Sequence, residues 1–286
     1  ERIGEKMPNE LNDLFTKYQK DGRIEFITFH PSYSYEEFIE GITVETVSTE
    51  SSSGLKYILK AGKFKNLCKK ALELATGEEK NDWKDAYDAY VENFSNDKTF
   101  FSNAPKVVLI IDEINRGDIS KIFGELITLL ESDKRLGAQN QIVLKLPYSN
   151  DDFGVPPNLY VIGTMNTADR SIALLDVALR RRFGFVEMPP CFDVLEDEHI
   201  DNDKNVFEDG VVKLLKLSKD ALEVINIKLC KDMAIGRDKQ IGHSFLFNVL
   251  KISDVILVWK YELLPLLEEY CYSDYSKINK MLFGTD

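Results

Sequence analysis

The hydrophobic pattern along the first two thirds of the chain alternates between short apolar runs and amphipathic segments. Apolar runs typical of strands occur at residues 24–29, 106–111, 141–146, 159–164 and 183–188. Apolar side chains recur at helical spacing in residues 9–20, 34–39, 64–74, 82–94, 119–131 and 171–179. Strands that alternate with helices predict an α/β fold with a parallel sheet and flanking helices.

After Pro189-Pro190 the pattern becomes helical throughout. Helical spacing continues through residues 211–218, 221–229, 252–270 and 275–282, and Pro265 is expected to bend or restart a helix. We therefore predict an α/β core over residues 1–189 and a C-terminal α-helical domain over residues 190–286. Within the core, the polar, acidic and aromatic stretch 76–104 indicates an insertion, and residues 46–54 indicate a hairpin tip or mobile loop.

Composition limits the classes of function. The 286 residues are 44% apolar and 29% charged, which is typical of a globular protein with a sizeable core. The net charge of −12 argues against a broad nucleic-acid surface, and no apolar run is long enough to predict a membrane span. Four scattered cysteines without a Cys-x-x-Cys pair argue against disulfides or zinc and fit a reducing cytoplasm.

The strand Lys106-Val-Val-Leu-Ile-Ile ends in two carboxylates, Asp112 and Glu113. Open α/β sheets bind ligands at the carboxyl ends of their strands. An aspartate there can hold Mg²⁺ on nucleotide phosphates, and the adjacent glutamate can orient or deprotonate a water. This is the pattern of a Walker B motif, although a solvated loop after a core strand has the same composition.

A second polar string, Gly163-Thr-Met-Asn166-Thr-Ala-Asp169-Arg170, follows the strand at residues 159–164. Asn166 can hold a water or contact a γ-phosphate, because an amide both donates and accepts hydrogen bonds. The alternative is an Asx turn that starts the next helix, which Asp169 or Ser171 would cap.

Three arginines, Arg180, Arg181 and Arg182, precede Phe183. The guanidinium fork suits phosphate oxygens, so an arginine that reaches a phosphate of a neighbouring subunit is one interpretation. Stabilisation of a helix C-terminus is the other.

Two further segments have open interpretations. The turn from Gly236 to Phe245, with Arg237 and His243, could fold over a nucleotide or be a surface loop with a hydrogen-bonded histidine. Residues 29–38 are a capped helix start, with Ser34 and Glu37 as a capping box, or a loop that faces a pore or a partner.

With these strings in this order, the chain resembles the AAA+ NTPase domain of the McrB family, the motor subunits of modification-dependent restriction systems. The family belongs to the dynein-related and MoxR-like branch of AAA+ proteins. The matching text comprises Thr28-Phe-His-Pro-Ser-Tyr-Ser-Tyr-Glu-Glu-Phe-Ile-Glu-Gly41, Leu109-Ile-Ile-Asp-Glu-Ile-Asn-Arg116, Gly163-Thr-Met-Asn-Thr-Ala-Asp-Arg-Ser171, Ala178-Leu-Arg-Arg-Arg-Phe183 and Ile241-Gly-His-Ser-Phe245. The resemblance implies an AAA+ P-loop-type parallel sheet with a helical lid domain.

The resemblance also implies residue roles. Asp112 is similar to the Mg²⁺ partner, Glu113 to the water-activating residue and Asn166 to the sensor-1 asparagine. By the same resemblance, Asp169 positions the hydrolytic water, Arg181 and Arg182 form the finger pair that acts across a subunit interface, and Arg237 or His243 supplies a lid contact.

For the whole protein, the resemblance implies GTP or ATP hydrolysis with Mg²⁺ in a ring hexamer that drives DNA translocation for a McrC-like endonuclease. The alternatives are a MoxR-like or dynein-related ATPase that remodels proteins, and a non-catalytic relative that only assembles rings.

One expected part is missing from the sequence. No Gly-x-x-x-x-Gly-Lys-Ser/Thr loop occurs, and the one Gly-Lys pair, Gly62-Lys63, has Tyr57 in place of the first glycine and Phe64 after the lysine. The phosphate-binding loop is expected just before residue 1. The chain alone is expected to bind nucleotide weakly and to be inactive, because backbone N–H groups of such a loop cradle the phosphates.

Overall fold

A computed structural model describes residues 8–49, 52–168, 177–200 and 205–284, and it divides into two units, Glu1–Gly184 and Phe185–Asp286. The described residues of the first unit form seven strands: β1 (Ile24–Thr28), β2 (Glu40–Thr49), β3 (Ser52–Ala61), β4 (Val107–Asp112), β5 (Leu144–Lys145), β6 (Asp152–Phe153) and β7 (Leu159–Gly163). Its described helices are α1 (Pro8–Lys20), α2 (Tyr35–Phe38), α3 (Lys63–Thr76), α4 (Trp83–Asn93), α5 (Ile119–Phe123) and α6 (Val177–Arg180).

Strands β1, β4 and β7 form the parallel sheet that the alternating pattern predicts, in the order β1-β4-β7. On one face Leu109 and Ile111 are fully buried, and α3 lies against this side of β4. On the other face Phe26, Tyr160 and Ile162 remain 51%, 47% and 52% exposed. The parallel pairing brings the carboxyl ends of all three strands to one edge.

Side-chain caps determine where several helices begin. Ser34 Oγ accepts a hydrogen bond from Glu37 N, and the Glu37 carboxylate accepts one from Ser34 N, so the predicted capping box is present. Asp118 caps α5 by accepting a hydrogen bond from Lys121 N. Each cap satisfies N–H groups that have no partner within the helix.

The predicted hairpin is formed by β2 and β3, which pair antiparallel along their full length. Ile42 lies opposite Leu59 and Val44 opposite Tyr57, so these four side chains share one face. They are between 47% and 72% exposed. The hairpin therefore presents an apolar face to solvent in the part of the chain that the structure describes.

The stretch interpreted as an insertion contributes aromatic side chains to the core of the first unit. Trp83 and Tyr90 of α4 are 2% and 1% exposed, and Trp83 Nε1 donates a hydrogen bond to Asp152 O (2.8 Å). Phe100 and Phe101 stand with their rings 5.7 Å and 5.5 Å from that of Tyr90. The aromatic residues of stretch 76–104 are therefore explained by their packing in the core of the first unit.

Three predicted elements differ in the structure. The helix expected over residues 119–131 stops as an α-helix at Gly124, whose φ of 54° breaks the helical backbone, and continues as a 3₁₀-helix, Gly124–Leu130. The strand expected at 141–146 is reduced to the two residues of β5, which pair only with β6. Residues 183–188 form no strand, because nothing in the described chain pairs with them, and Val186 is 83% exposed.

The second unit is helical, which confirms the predicted class of the C-terminal domain. Its α-helices are α7 (Asp193–Leu195), α8 (Val211–Lys231), α9 (Ile252–Val258), α10 (Leu264–Tyr270) and α11 (Tyr275–Phe283). The two helices expected over 211–229 are one continuous helix, α8, whose Leu215, Leu222 and Leu229 are fully buried. A π-helical turn, Trp259–Leu263, separates α9 from α10 just before Pro265, which lacks the N–H that a regular helix needs.

Among the described helices, none combines the length and the apolar character that crossing a membrane requires.

Candidate functional site

The candidate site lies at the carboxyl edge of the parallel sheet, where β1, β4 and β7 end. Thr28 pairs with Asp112 at the ends of β1 and β4. Thr164, the residue after β7, donates a backbone hydrogen bond to Ile111 O (2.9 Å). The acidic pair and residues 163–168 of the polar string therefore meet at the edge where α/β sheets bind ligands.

Thr164 connects the two strand ends through its side chain. Its hydroxyl donates a hydrogen bond to Asp112 Oδ1, and Glu113 N donates one to the same hydroxyl oxygen (3.4 Å). Ile114 N donates to Thr164 O (2.9 Å). The sequence pattern assigned no role to Thr164, and the only available signal was its place directly after a buried strand.

Glu113 has an uncommon backbone conformation for a residue with a Cβ atom, φ 53° and ψ 44°. Such left-handed residues cluster at functional sites, where surrounding contacts maintain the strain. Arg116 Nε lies 3.1 Å from Glu113 Oε2, yet this buried oxygen accepts no hydrogen bond from any described residue. Arg116 thus contacts the Glu113 carboxylate by charge, without a well-aligned hydrogen bond.

Asn166 and Asn115 meet beside the acidic pair. Asn115 Nδ2 donates a weak hydrogen bond to Asn166 O (3.4 Å), while the buried Asn115 Oδ1 has no donor within the described chain. Asn166 Oδ1 accepts a hydrogen bond from Ala168 N (2.9 Å), so the Asx turn considered from the sequence is present. The amide nitrogen of the Asn166 side chain, Nδ2, is left to contact a ligand. Asp169 lies outside the described residues.

The residues at this edge fit a Mg²⁺ ion that is shared with a nucleotide. No group of three or more His, Cys, Asp or Glu side chains in the described chain could hold a metal by itself. Mg²⁺ in nucleotide sites uses one or two carboxylates and completes its octahedron with phosphates and waters. Asp112, whose Oδ1 accepts the hydrogen bond from Thr164, would supply the carboxylate.

The single Gly-Lys pair is not a phosphate loop in this structure. Gly62 N donates to Ile39 O (2.7 Å), so it is not available for a phosphate. A Cβ atom at Gly62 would collide with the backbone carbonyl group of Phe38. Glycine is therefore needed here because the two backbone segments pack closely. Lys63 forms an ion pair with Glu25.

The segment of residues 29–38 is a capped helix start. Phe29 and Phe38 are fully buried, and the Tyr33 ring lies 5.0 Å from that of Phe29. His30 is exposed next to the candidate site, with Nδ1 3.0 Å from Ser32 Oγ. The aromatic residues of this string belong mainly to the core.

The three arginines differ in their surroundings. Arg182 forms an ion pair with Glu131 (Nη2 to Oε1, 2.9 Å), and its side chain is only 15% exposed. Arg180 and Arg181 are exposed. The arginines predicted to act together are therefore not equivalent.

Arg237 and His243 lie in the second unit and have partners there. Arg237 forms an ion pair with Glu187, and His243 Nδ1 accepts a hydrogen bond from Cys191 N (3.2 Å). The interpretation of this turn as a surface loop with a hydrogen-bonded histidine describes both contacts. A lid contact by either residue stays a prediction.

Comparison with known proteins matches each unit to a described family. Residues 9–183 match the AAA domain of the dynein-related subfamily, and residues 217–279 match the alpha-helical lid domain of McrB.

Two curated proteins show similarity along the chain. The first is the type IV methyl-directed restriction enzyme EcoKMcrB subunit of Escherichia coli (strain K12), which is 34% identical over 280 residues. This alignment covers 93% of the chain and 51% of the relative. The second is the type II restriction enzyme BsuMI component YdiS of Bacillus subtilis (strain 168), 30% identical over 87 residues that cover 27% of the chain and 25% of the relative. The chain thus spans about half the length of the first relative and matches a quarter of the second.

Proposed function

Because the chain belongs to the dynein-related subfamily of AAA domains and is McrB-like over both of its units, we propose that it works as the nucleoside-triphosphatase domain of a McrB-type motor. One observation carries this proposal at the level of residues. Asp112 and Glu113 stand at the carboxyl edge of the sheet, tied to β7 by Thr164 and flanked by Asn166.

In the proposed reaction, a water attacks the γ-phosphate in line with the leaving group. Glu113 accepts the proton of this water through its carboxylate. Arg116 holds the glutamate side chain in place from 3.1 Å. The amide of Asn166 and the carboxylate of Asp169 orient the water.

Asp112 would hold Mg²⁺, which when bound neutralises charge that develops on the phosphates. Thr164 keeps the Asp112 carboxylate oriented toward the site edge by its hydrogen bond. An arginine of the Arg181-Arg182 pair from a neighbouring subunit adds positive charge at the γ-phosphate, and Arg237 or His243 adds a contact from the lid. The proposed reaction also needs phosphate contacts of the kind that a glycine-rich loop makes, and the sequence contains no such loop.

The nucleotide is GTP or ATP. The sequence contains no motif that would read a guanine or an adenine base. A comparison of kcat/KM for GTP and ATP identifies the preferred nucleotide. The names of both curated relatives support a role in restriction. We extend the proposal to a ring hexamer whose hydrolysis drives DNA translocation for a McrC-like nuclease.

The proposal is tested with Glu113→Gln in the full-length protein that contains this domain. The amide has nearly the same shape but cannot take a proton, so we expect nucleotide binding to persist and turnover to fall by about 10²-fold or more. Glu79→Gln is the charge-matched control, because it removes an exposed carboxylate that does not belong to the strand ends of the site. Unchanged hydrolysis by Glu113→Gln would contradict the assignment.

The same assays distinguish the alternatives. Hydrolysis that responds to DNA and to a McrC-like nuclease supports the restriction motor. Hydrolysis that responds to neither, but to a protein substrate, would favour a MoxR-like remodelling ATPase. Nucleotide-dependent ring assembly by a wild type without hydrolysis would favour a non-catalytic relative.

A further inference from the structure

The turn that carries the three arginines has an inner and an outer side. Leu179 is 2% exposed, and Phe183 packs against the core of the first unit. Arg182 N and Phe183 N both donate hydrogen bonds to Leu179 O (2.8 Å and 3.1 Å). Residues three and four positions apart share a helical face, so Arg182 lies on the inner side with these two apolar anchors. Arg180 and Arg181 fall on the outer side and are exposed.

On the inner side, Arg182 meets a carboxylate of its own domain. Glu131 Oε1 lies 2.9 Å from Arg182 Nη2, and the two side chains are 34% and 15% exposed. An arginine that is this buried needs a counter-charge, because desolvation of an unpaired guanidinium is unfavourable. The pair therefore fixes the turn against the segment that contains Glu131.

The Glu131 segment is in turn fixed to the sheet. Leu130 is 5% exposed, and the Arg135 guanidinium donates hydrogen bonds both to Leu130 O (3.3 Å and 3.2 Å) and to Leu159 O at the start of β7. Lys134 N donates to Glu131 O (3.0 Å). A continuous set of contacts runs from β7 through Glu131 to Arg182.

We propose that Glu131 is a positioning residue, which holds Arg182 within its own domain so that Arg181, and not Arg182, reaches the nucleotide of a neighbouring subunit. This assignment rests on the proposed NTPase function. It gives the two arginines different tasks: Arg181 contacts phosphate, and Arg182 anchors the turn. Arg180 is outside this division of tasks.

A charge swap in the full-length protein tests the assignment. We expect Glu131→Gln and Arg182→Gln each to lower kcat about tenfold with unchanged nucleotide affinity, because the turn loses its anchor. The double variant Glu131→Arg with Arg182→Glu restores the ion pair and should return kcat to within about threefold of wild type. Arg181→Gln should lower kcat about 10³-fold, and Glu131→Arg should not rescue it.

The controls separate this inference from the proposed function. Glu78→Gln removes an exposed ion pair with Lys80 and should leave kcat unchanged. Thermal unfolding identifies any variant that fails to fold, and Arg182→Lys then replaces Arg182→Gln. If wild type hydrolyses nucleotide and Glu113→Gln does not, the proposed function stands. An inactive swap variant that is folded, or a Glu131→Gln variant with wild-type kcat, then overturns the positioning role. A wild type without hydrolysis overturns both.

Discussion

At the scale of single residues, the candidate site depends on one hydroxyl group. Thr164 contacts the side chain of Asp112 and the backbone of Glu113, and its own backbone forms hydrogen bonds with Ile111 O and Ile114 N at the end of β4. Partners that orient a metal-binding carboxylate affect metal affinity nearly as strongly as the ligand itself. Thr164 is therefore expected to tune how Asp112 holds Mg²⁺.

We predict that Thr164→Val in the full-length protein raises the Mg²⁺ concentration needed for half-maximal hydrolysis by about 10- to 100-fold. Valine has nearly the shape of threonine but cannot donate the hydrogen bond to Asp112. Thr164→Ser keeps the hydroxyl and should stay close to wild type. A magnesium titration of the hydrolysis rate measures the effect, and equal requirements in the valine and serine variants would refute the role.

At the scale of secondary-structure elements, a buried charged network joins β2, α3 and the turn between β5 and β6. Glu40 is fully buried, and its Oε2 lies 2.6 Å from Lys65 Nζ. Its Oε1 accepts hydrogen bonds from Tyr148 N and Ser149 N (3.1 Å and 2.9 Å), while Lys65 Nζ also contacts Asp151 Oδ2 (3.0 Å). Every charged group of this network has a partner.

Burial alone would raise the pKa of Glu40, but hydrogen bonds from Lys65 and Ser149 outweigh it and hold this pKa below 4.5. In the unfolded chain the Glu40 carboxyl binds its proton at a higher pH than in the folded protein. Its contribution to stability is therefore complete above pH 4.5 and is lost as the pH falls through the lower folded value.

We predict that Lys65→Met lowers the free energy of unfolding at neutral pH by about 3–5 kcal/mol, because it leaves the Glu40 carboxylate buried without its counter-charge. The penalty should shrink as the pH falls from neutral into the acid range, because loss of Lys65 raises the pKa of the buried Glu40 carboxyl, which then takes up a proton at a higher pH than in the wild type. Lys63→Met is the matched control: Lys63 is 56% exposed in its ion pair with Glu25, so the cost should stay below about 1 kcal/mol. Chemical denaturation of the 286-residue chain across this pH range measures both, and equal costs would contradict the prediction.

At the scale of the whole molecule, the chain carries the acidic edge of the proposed nucleotide site, and its sequence contains no glycine-rich phosphate loop. In the one Gly-Lys pair, the backbone N–H of Gly62 donates a hydrogen bond to Ile39 O, and Lys63 forms an ion pair with Glu25. Backbone N–H groups and a lysine provide most contacts to nucleotide phosphates in such sites. Asp112 and Glu113, both negative, cannot replace them.

We predict that the 286-residue chain alone shows no saturable binding of GTP or ATP up to about 1 mM with Mg²⁺ present. Isothermal titration with each nucleotide measures this, and the full-length protein serves as the positive control. Saturation in the micromolar range by the chain alone would show that a different part of it binds the phosphates.

The sequence by itself determined most of the local structure. Apolar runs indicated β1, β4 and β7, and the capping box of Ser34 and Glu37 placed the start of α2, because these signals act between residues close in the chain. The alternation of strands and helices also predicted the parallel sheet, and the uninterrupted helical spacing after Pro190 predicted the helical second unit. Local signals failed at residues 183–188, where apolar residues alternate but the described chain offers no strand to pair with.

Tertiary structure decided how the candidate residues are used. The sequence treated Arg181 and Arg182 as a pair, and only the position of Glu131, about fifty residues earlier in the chain, separates them. Likewise, the contact of Thr164 with Asp112 joins residues from two strands. Such contacts depend on which elements pack together. The hydrophobic pattern of one segment does not determine which distant segment packs against it.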